Sequence, residues 1–379
     1  MKLIALSLCL VLAACGGGST PAPDIQNPPI PVSSSSYENE MMAAHILGPQ
    51  EYPHDWKPCG DRFQCGSFPT PAMVFADFMR DGSYSMITHT IQYNAVNPLD
   101  FSRKGHIKFY RFINGVWTDR TSEILRPEQT QGCLHASKAL VADFMQNGRP
   151  SVFFSCYGFD GPGGSGEKQR ILLAQNDGTY KNVELSSIDI CACHSASAAD
   201  VNGDSYPDIV VVDNYLRYAV FFLINNKDGT FTPDYNRLPS DIINKALFEV
   251  ELIDFNNDGK YDIQLGGVEQ CCVTLQTPSR IYYNNNNKVF DNGVSIPSIP
   301  GYGMITDVVY DNGFVYMLKT NDAPDDFWTK YIIQRVNLFT MESVVLFESV
   351  RNSPVPSLIV LHQNKIVALN SYYNLSIPK

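Results

Sequence analysis

Two short acidic segments carry oxygen-bearing side chains at positions 1, 3, 5 and 9 of a nine-residue stretch. Calcium takes six to eight hard oxygen ligands, and alternate acids in a tight loop point toward one centre while a backbone carbonyl at position 7 adds another ligand. In the first segment the ligands would be Asp200, Asn202, Asp204, the carbonyl of Tyr206 and Asp208, and in the second Asp254, Asn256, Asp258, the carbonyl of Lys260 and Asp262. The spacing predicts two structural calcium sites; the alternative is that the acids only cap their own turns.

These segments belong to a longer repeat. The first acids of four related segments are Asp77, Asp143, Asp200 and Asp254, at spacings of 66, 57 and 54 residues. A period of that length indicates one supersecondary unit copied several times. The segments that begin at Asp77 and Asp143 have a methionine at the third position, Met79 and Met145. A methionine thioether is a poor ligand for a hard cation. We therefore expect those two loops to keep their turns without metal.

Each unit also carries a second motif, an apolar run, a turn rich in Asn, Asp and Gly, and an aromatic-bearing run, as in FYRFINGVWTD and VFFLINNKDGTFTP. This pattern is typical of a β-hairpin, so each unit holds four short antiparallel strands. A degraded fifth copy places Asp307 at the acidic position, and LIVLHQNKIVAL forms a sixth half-unit. Because no amphipathic helix separates the units, the sequence predicts an all-β β-propeller of six blades, with seven as the alternative.

The two-part unit resembles the FG-GAP or VCBS repeat of integrin α-chain propellers and bacterial surface proteins. The resemblance covers residues 68–297 well and the remainder weakly. It implies a propeller with calcium loops and does not imply one particular function. We expect the C-terminal half-unit to be completed by strands from residues 37–58, which would close the ring.

The N-terminus has the features of an export signal. Residues 1–14 contain one lysine and an apolar run and end in Leu12-Ala13-Ala14 before Cys15, which resembles the bacterial lipobox. The resemblance implies cleavage before Cys15 and lipid attachment to its sulfur, and Gly16 favours the outer membrane. Residues 15–36 are rich in Gly, Pro and Ser and predict a flexible tether, so residues 37–379 form the folded body.

Eight of the ten cysteines lie in the body, and an even number in an exported protein predicts disulfides. They are Cys59, Cys65, Cys133, Cys156, Cys191, Cys193, Cys271 and Cys272. In a propeller all eight would lie on the face opposite the acidic loops. The most local pairs are Cys59 with Cys65 and Cys133 with Cys156. A second interpretation makes Cys191, Cys193 and His194 soft-metal ligands, with His135.

The long segments between hairpins also lie on the face opposite the acidic loops, and such loops carry function more often than their scaffold does. Their exposed recognition candidates are Tyr93, Tyr157, Phe159, Phe327 and Trp328. The alternative is tolerated surface variation. Net charge of −11 argues against a nucleic-acid partner.

The catalytic motifs HExxH and GxSxG and a Gly-rich phosphate loop are absent from the sequence. The leading hypothesis is therefore a non-catalytic binding module for a protein or a glycan. A carbohydrate-active enzyme using carboxylates such as Asp160 and Asp325 is the second hypothesis, and an envelope-assembly scaffold is the third.

Overall fold

A computed structural model describes most of the residues from Lys57 onward. The described residues are 57–58, 64–93, 104–158, 166–214, 220–238, 242, 245–270, 276–284, 290, 293–323, 326–353, 355–356, 358–362, 364–369 and 374–379. In these residues the structure is almost wholly β, with one helical turn, α1 (Thr121–Ile124), and one 3-10 turn, Pro127–Gln129.

The strands form six antiparallel sheets, each built from strands consecutive in the sequence. Blade 1 contains β1 (Lys57–Pro58), β2 (Gln64–Ala76), β3 (Ser85–Tyr93), β4 (Ile107–Ile113) and β5 (Val116–Asp119); blade 2 contains β6 (Ala136–Ala142), β7 (Ser151–Cys156), β8 (Arg170–Ala174) and β9 (Tyr180–Glu184); blade 3 contains β10 (Cys193–Ala199), β11 (Asp208–Asp213), β12 (Val220–Asn225) and β13 (Phe231–Asp234).

The second half of the protein continues the same arrangement. Blade 4 contains β14 (Leu247–Ile253), β15 (Asp262–Gly267), β16 (Arg280–Tyr282) and β17 (Val294–Ser295); blade 5 contains β18 (Met304–Asp311), β19 (Phe314–Ala323), β20 (Asp326–Asn337) and β21 (Ser343–Glu348); blade 6 contains β22 (Leu358–His362), β23 (Lys365–Leu369) and β24 (Asn374–Pro378). The predicted six-bladed β-propeller is confirmed.

The inner strands of the blades are β2, β6, β10, β14, β18 and β22, and neighbouring inner strands pack beside one another around the centre of the ring. Each inner strand begins on one face and ends at an acidic loop or its equivalent on the other. We call the first the disulfide face and the second the acidic-loop face. The antiparallel order places the turns between third and fourth strands on the acidic-loop face as well.

The blades stack because their inner and second strands carry apolar side chains on both surfaces of the sheet. All six residues of β11, DIVVVD, are buried, as expected for a strand covered on both sides. Ring closure is visible in one apolar cluster that joins Val74 and Phe75 of blade 1 to Leu358 and Val360 of blade 6. Closure covers the apolar faces of blades 1 and 6, which an open stack of sheets would leave exposed.

The second hairpins form as predicted in the first three blades. In blade 1 the turn is Asn114-Gly115, with φ of 52° and 82°, the two positive values that a two-residue type I′ turn requires. Asn312-Gly313 forms the same kind of turn between β18 and β19. The turn residues between β16 and β17 fall partly outside the described residues.

Three predictions about the ends of the repeat change. Lys57 and Pro58 pair with the start of β2, so these two residues belong to blade 1 and not to blade 6; the rest of the segment proposed to close the ring, 37–56, lies outside the described residues. The long segment between the two predicted hairpins of the fifth unit is an extension of a hairpin, in which Ala323 pairs with Asp326, because β19 and β20 are longer than their counterparts. Asp307 lies within β18 and not in a loop, since the turn comes later, at Asn312.

Candidate functional site

The four acidic loops share one backbone conformation. Positions 4 and 6 of every loop have positive φ, between 51° and 82°. These residues are Arg80 and Gly82, Gln146 and Gly148, Gly203 and Ser205, and Asn257 and Gly259. The loops with methionine at the third position therefore keep the same turn as the two with the complete set of acids. Gly259 lies at the sixth position of the last loop, where its φ of 82° permits the sharp turn.

Hydrogen bonds from backbone amides stabilise this conformation. Asp200 accepts from the amides of Gly203 and Asp204 through Oδ1, at 2.7 and 3.0 Å, and from Ser205 through Oδ2, at 2.7 Å. The first acid of each of the other three loops accepts amides at its fifth and sixth positions in the same way. Turn capping is thus a property of all four loops.

The two complete loops concentrate negative charge. Lys227 lies 3.2 Å from Asp204, and Lys260 lies 3.5 Å from Asp258. Burial, assisted by the neighbouring loop carboxylates, raises the pKa of Asp208 to about 7 and that of Asp262 to about 6. The described residues contain groups of three acids, cysteines or histidines whose ligand atoms lie within 4.8 Å of one another, but these groups do not include residues of the two complete loops. The ten proposed calcium ligands remain a prediction.

Two disulfides lie on the disulfide face. Cys133 is bonded to Cys156, the pair predicted from proximity, with Cα atoms 5.8 Å apart. Cys191 is bonded to Cys193, with Cα atoms 5.2 Å apart, which takes both sulfurs out of the soft-metal interpretation. Cys59, Cys271 and Cys272 lie outside the described residues, and the side chain of Cys65 is not described.

A row of aromatic and imidazole rings crosses the disulfide face where the inner strands begin. The ring centroids of His135 and Tyr157 are 5.9 Å apart, those of Tyr157 and His194 are 5.9 Å apart, and those of His194 and Phe248 are 4.4 Å apart. His194 Nδ1 lies 3.0 Å from the carbonyl oxygen of Phe248, so that nitrogen must carry the proton. We call these four residues the ring row.

The recognition candidates from the sequence meet different outcomes. Tyr157 is only 6% exposed, because it packs between the two histidines of the ring row, so its predicted exposure is wrong. Trp328 is 39% exposed and donates from Nε1 to the sulfur of Met304. The side chains of Tyr93 and Phe327 are not described, and Phe159 lies outside the described residues, as do Asp160 and Asp325.

Beneath the ring row, a charged cluster joins three blades at the centre of the ring. Lys138 Nζ of blade 2 lies 2.5 Å from Glu249 and 2.6 Å from Glu251 of blade 4, and 3.7 Å from Asp307 of blade 5. The three carboxylate side chains are 2–6% exposed. We call these four residues the axial cluster.

One structural device turns three of these residues toward the centre. Each inner strand of blades 2 to 5 has a register shift near its start, and the residue that follows the shift is Lys138, Ser195, Glu249 or Asp307. A β-bulge adds one residue to a strand and re-aims the side chains beside it. The extra residues include His194 and Phe248 of the ring row. The cluster and the row are therefore set by the same bulges.

Blade 3 supplies hydroxyl groups to the axial cluster. Ser197 donates to Glu251 at 2.8 Å, and Lys138 Nζ lies 3.5 Å from Ser195 Oγ. Burial is the main cause that raises the pKa of Glu249 to about 8 and that of Asp307 to about 7, against the opposing attraction of Lys138. The carboxylates raise the pKa of Lys138 well above its usual range, outweighing its burial.

Sequence reasoning missed the axial cluster. The available signal was a charged residue at a fixed place in a mostly apolar inner strand, since Lys138 and Glu249 each stand five residues before the first acid of a loop. Buried charges of this kind require partners. The partner of Lys138 lies 111 residues away, however, and only the closed ring brings the two together.

Comparisons with known proteins support the fold. Residues 200–264 match the model of the FG-GAP-like repeat. The search of curated proteins gave no match.

In the described residues, helices long and apolar enough to cross a membrane are absent.

The solved structures similar to this protein are distant from it in sequence. A putative 6-phosphogluconolactonase from Bacteroides uniformis is 11% identical over 79% of this chain and 77% of that chain, with a TM-score of 0.47. The Pseudomonas aeruginosa periplasmic gluconolactonase PpgL is 13% identical over 88% and 94% of the two chains, with a TM-score of 0.44. The computationally designed protein Ika8 is 12% identical over 79% and 68%, with a TM-score of 0.39. Likenesses this weak carry no argument about this protein. The chain is a β-propeller with an FG-GAP-like repeat.

Proposed function

We propose that this protein is a lipid-anchored, calcium-stabilised propeller of the bacterial outer membrane that binds a protein or glycan ligand on its disulfide face without catalysing a reaction. The observation that carries the proposal is the set of partly exposed ring-row side chains, His135, His194 and Phe248, beside the buried Tyr157, together with the exposed indole of Trp328. Aromatic and imidazole rings present apolar surface and hydrogen-bonding groups at once, a combination that suits sugar rings and peptide side chains alike.

The surroundings of the ring row favour recognition because they are held rigidly. The Cys133–Cys156 disulfide cross-links the segments that carry His135 and Tyr157, and the Cys191–Cys193 disulfide closes a short loop directly before His194. Glu167 accepts the backbone amides of Leu134 and His135, at 2.8 and 3.3 Å, and its own backbone pairs with Cys191. A site whose side chains are fixed before binding loses less conformational entropy on binding.

A pair of matched variants tests the proposal. Trp328→Ala removes an exposed ring from the disulfide face, and Phe339→Ala removes one that is 86% exposed on the acidic-loop face. We expect Trp328→Ala to weaken binding by roughly tenfold or more, as truncation of a central aromatic contact does, and Phe339→Ala to leave it unchanged. The full-length protein in detergent would be assayed on a glycan array and in a pull-down from cell-envelope extract.

The two assays separate the ligand classes. Saturable binding on the array that Trp328→Ala abolishes identifies a glycan, and capture of one defined envelope protein with the same dependence identifies a protein. Equal loss in both aromatic variants, or binding that neither variant changes, would reject the disulfide face as the recognition surface.

A second candidate is a carbohydrate-active enzyme, and the axial cluster is the observation that favours it. Buried carboxyl groups whose pKa lies near neutrality are found in many active sites. Lys138 already pairs with these carboxylates, however, which is the arrangement of a structural ion-pair network. Turnover of a polysaccharide that Glu249→Gln abolishes, with ligand binding retained, would establish the enzyme.

The lipid anchor rests on Cys15 and on the apolar run before it. Labelled fatty acid should enter the wild-type protein and not Cys15→Ser, and the variant should leave the membrane fraction. A third role, as a scaffold for envelope assembly, predicts instead that several partners co-purify and that they survive Trp328→Ala.

A further inference from the structure

We propose that the axial cluster is a proton-responsive lock, which holds the inner strands of blades 2 to 5 together beneath the ring row when protonated and loosens them when its protons leave. The lock is a property of the protein alone. Its use in regulating ligand binding rests on the function proposed above, whereas the experiment below reads only the protein.

The first argument is the imbalance of charge. Three carboxyl groups face one ammonium group, and all three are almost completely buried. One ammonium balances one carboxylate, so the cluster is neutral only when two of the carboxyl groups carry protons. An uncompensated charge in a buried site is costly, and this cost falls on the strands that carry it.

The second argument is connectivity. Asp307 Oδ2 accepts the backbone amide of Ile359, which extends the cluster to blade 6. Ser197 donates to Glu251, and its oxygen accepts the amide of Leu252, so the cluster also fixes β10 against β14. Repulsion among the carboxylates would therefore act on five blades at once.

In the described parts of the inner strands, few other charged groups face the cluster. Around the cluster, β6 contributes Lys138, β10 contributes His194 and the two serine hydroxyls, β14 contributes Glu249 and Glu251, β18 contributes Asp307, and β22 contributes a backbone amide. Burial lowers the pKa of His194 to about 4, so at neutral pH this ring is uncharged. The described inner strand of blade 1 has Ala72 at the corresponding place.

The pKa shifts give the direction of the effect. Glu249 and Asp307 have folded pKa values of about 8 and 7, above their unfolded values, so they bind protons more tightly in the folded state. Their contribution to stability is complete below the unfolded pKa and is lost as the pH rises through the folded pKa. Burial lowers the pKa of His89 to about 3 and also lowers that of His106, so these two histidines and His194 oppose the trend where their unfolded forms still bind protons, around and below their unfolded pKa of about 6.5. Above about pH 7.5 the histidines no longer oppose the carboxyl groups, and below it their opposition is the same in a variant that changes only the cluster.

The ring row lies next to the lock in the sequence. His194 precedes Ser195, and Phe248 precedes Glu249, at the same two bulges. The hydrogen bond from His194 to the Phe248 carbonyl therefore joins the two strands whose axial residues belong to or border the cluster. Deprotonation should loosen this end of β10 and β14 first.

The test compares the wild type with Glu249→Gln/Asp307→Asn, which imitates the protonated cluster. We expect the melting temperature of the wild type to fall by about 5 °C or more from pH 6.5 to 8.5, and the double variant to lose most of that dependence. Asp208 in an acidic loop titrates in the same interval, so the quantity of interest is the difference between the two proteins at fixed calcium. Glu184→Gln, which removes a carboxylate that is 44% exposed in its ion pair with Arg170, is the matched control and should behave as wild type.

Amide hydrogen exchange of the wild type supplies a measurement that needs no variant. After correction for intrinsic rates, peptides covering the starts of β10 and β14 should exchange about tenfold faster at pH 8.5 than at pH 6.5, while the second hairpin of blade 3 stays unchanged. Equal pH dependence of melting in the wild type and the double variant, or uniform exchange across these peptides, would overturn the proposal.

Discussion

Ser205 has a backbone conformation that its side chain does not favour. Its φ is 74°, at the position where each of the other three loops has glycine with φ between 73° and 82°. A residue with a Cβ pays roughly 1 kcal/mol or more in this left-handed region. The loop tolerates the cost because the Ser205 amide donates to Asp200.

Substitutions at this position should therefore change the stability of the protein in opposite directions in two otherwise similar loops. Ser205→Gly relieves the left-handed conformation and should raise the free energy of unfolding by about 0.5–1 kcal/mol, while Gly259→Ala should lower it by about 1–2 kcal/mol. Space is not the reason, since a Cβ on Gly259 would meet nothing within 4 Å. Urea denaturation of both variants checks the pair, and a loss of stability in Ser205→Gly would contradict the explanation.

Single residues were predictable from the sequence only where their partners are nearby in it. The acids of each loop fall within nine residues, and Cys133 and Cys156 are 23 residues apart. Tyr157 was expected at the surface, because the sequence does not show that two histidines from neighbouring blades would cover it. The axial cluster was not predictable in this way, because only the closed ring brings its residues together.

At the scale of elements, the bulges near the starts of four inner strands have the largest effect on the site. An inner strand buried on both surfaces would ordinarily carry only apolar residues. The extra residue lets Lys138, Glu249 and Asp307 reach the centre while apolar residues further along the same strands pack between blades. Bulges cannot be read from composition, so this feature was not predicted.

The acidic loops give a prediction about metal. If calcium occupies the two complete loops at a concentration a hundredfold above its Kd, each site contributes about 2.7 kcal/mol to stability. Removing the calcium should then lower the melting temperature by about 5 °C or more. Asp204→Asn and Asp258→Asn should each reduce the effect, and Asp81→Asn in an incomplete loop should not. Melting that excess chelator leaves unchanged, with no calcium found by elemental analysis, would leave turn capping as the role of these acids.

At the scale of the whole molecule, the period of the repeat was enough to predict six blades, because each unit carries its own hairpin signals. The closure of the ring was harder to predict. The sequence of the C-terminal half-unit does not indicate which other segment packs against it. In the structure, blades 1 and 6 are joined by a shared apolar cluster.

The axial cluster makes the ring respond as one body to a single substitution. Lys138→Met would leave three buried carboxyl groups without a cation, and we expect a loss of about 3–5 kcal/mol near pH 8 and a smaller loss near pH 6, where protons replace the missing charge. Lys108→Met breaks an ion pair that is 35% and 46% exposed and should cost less than about 1 kcal/mol. Chemical denaturation at both pH values measures the contrast; equal losses for the two variants would show that the cluster does not hold the blades.

The shared backbone of the four acidic loops has a consequence for how this surface can be altered. Because Asp77 and Asp143 support the same turn as Asp200 and Asp254 without a full set of acids, the loops behave as interchangeable parts. Changes at the third and ninth positions alone could then add or delete a cation-binding position, blade by blade, while the neighbouring strands keep their register. The electrostatic character of the acidic-loop face can therefore vary independently of the ring row on the disulfide face.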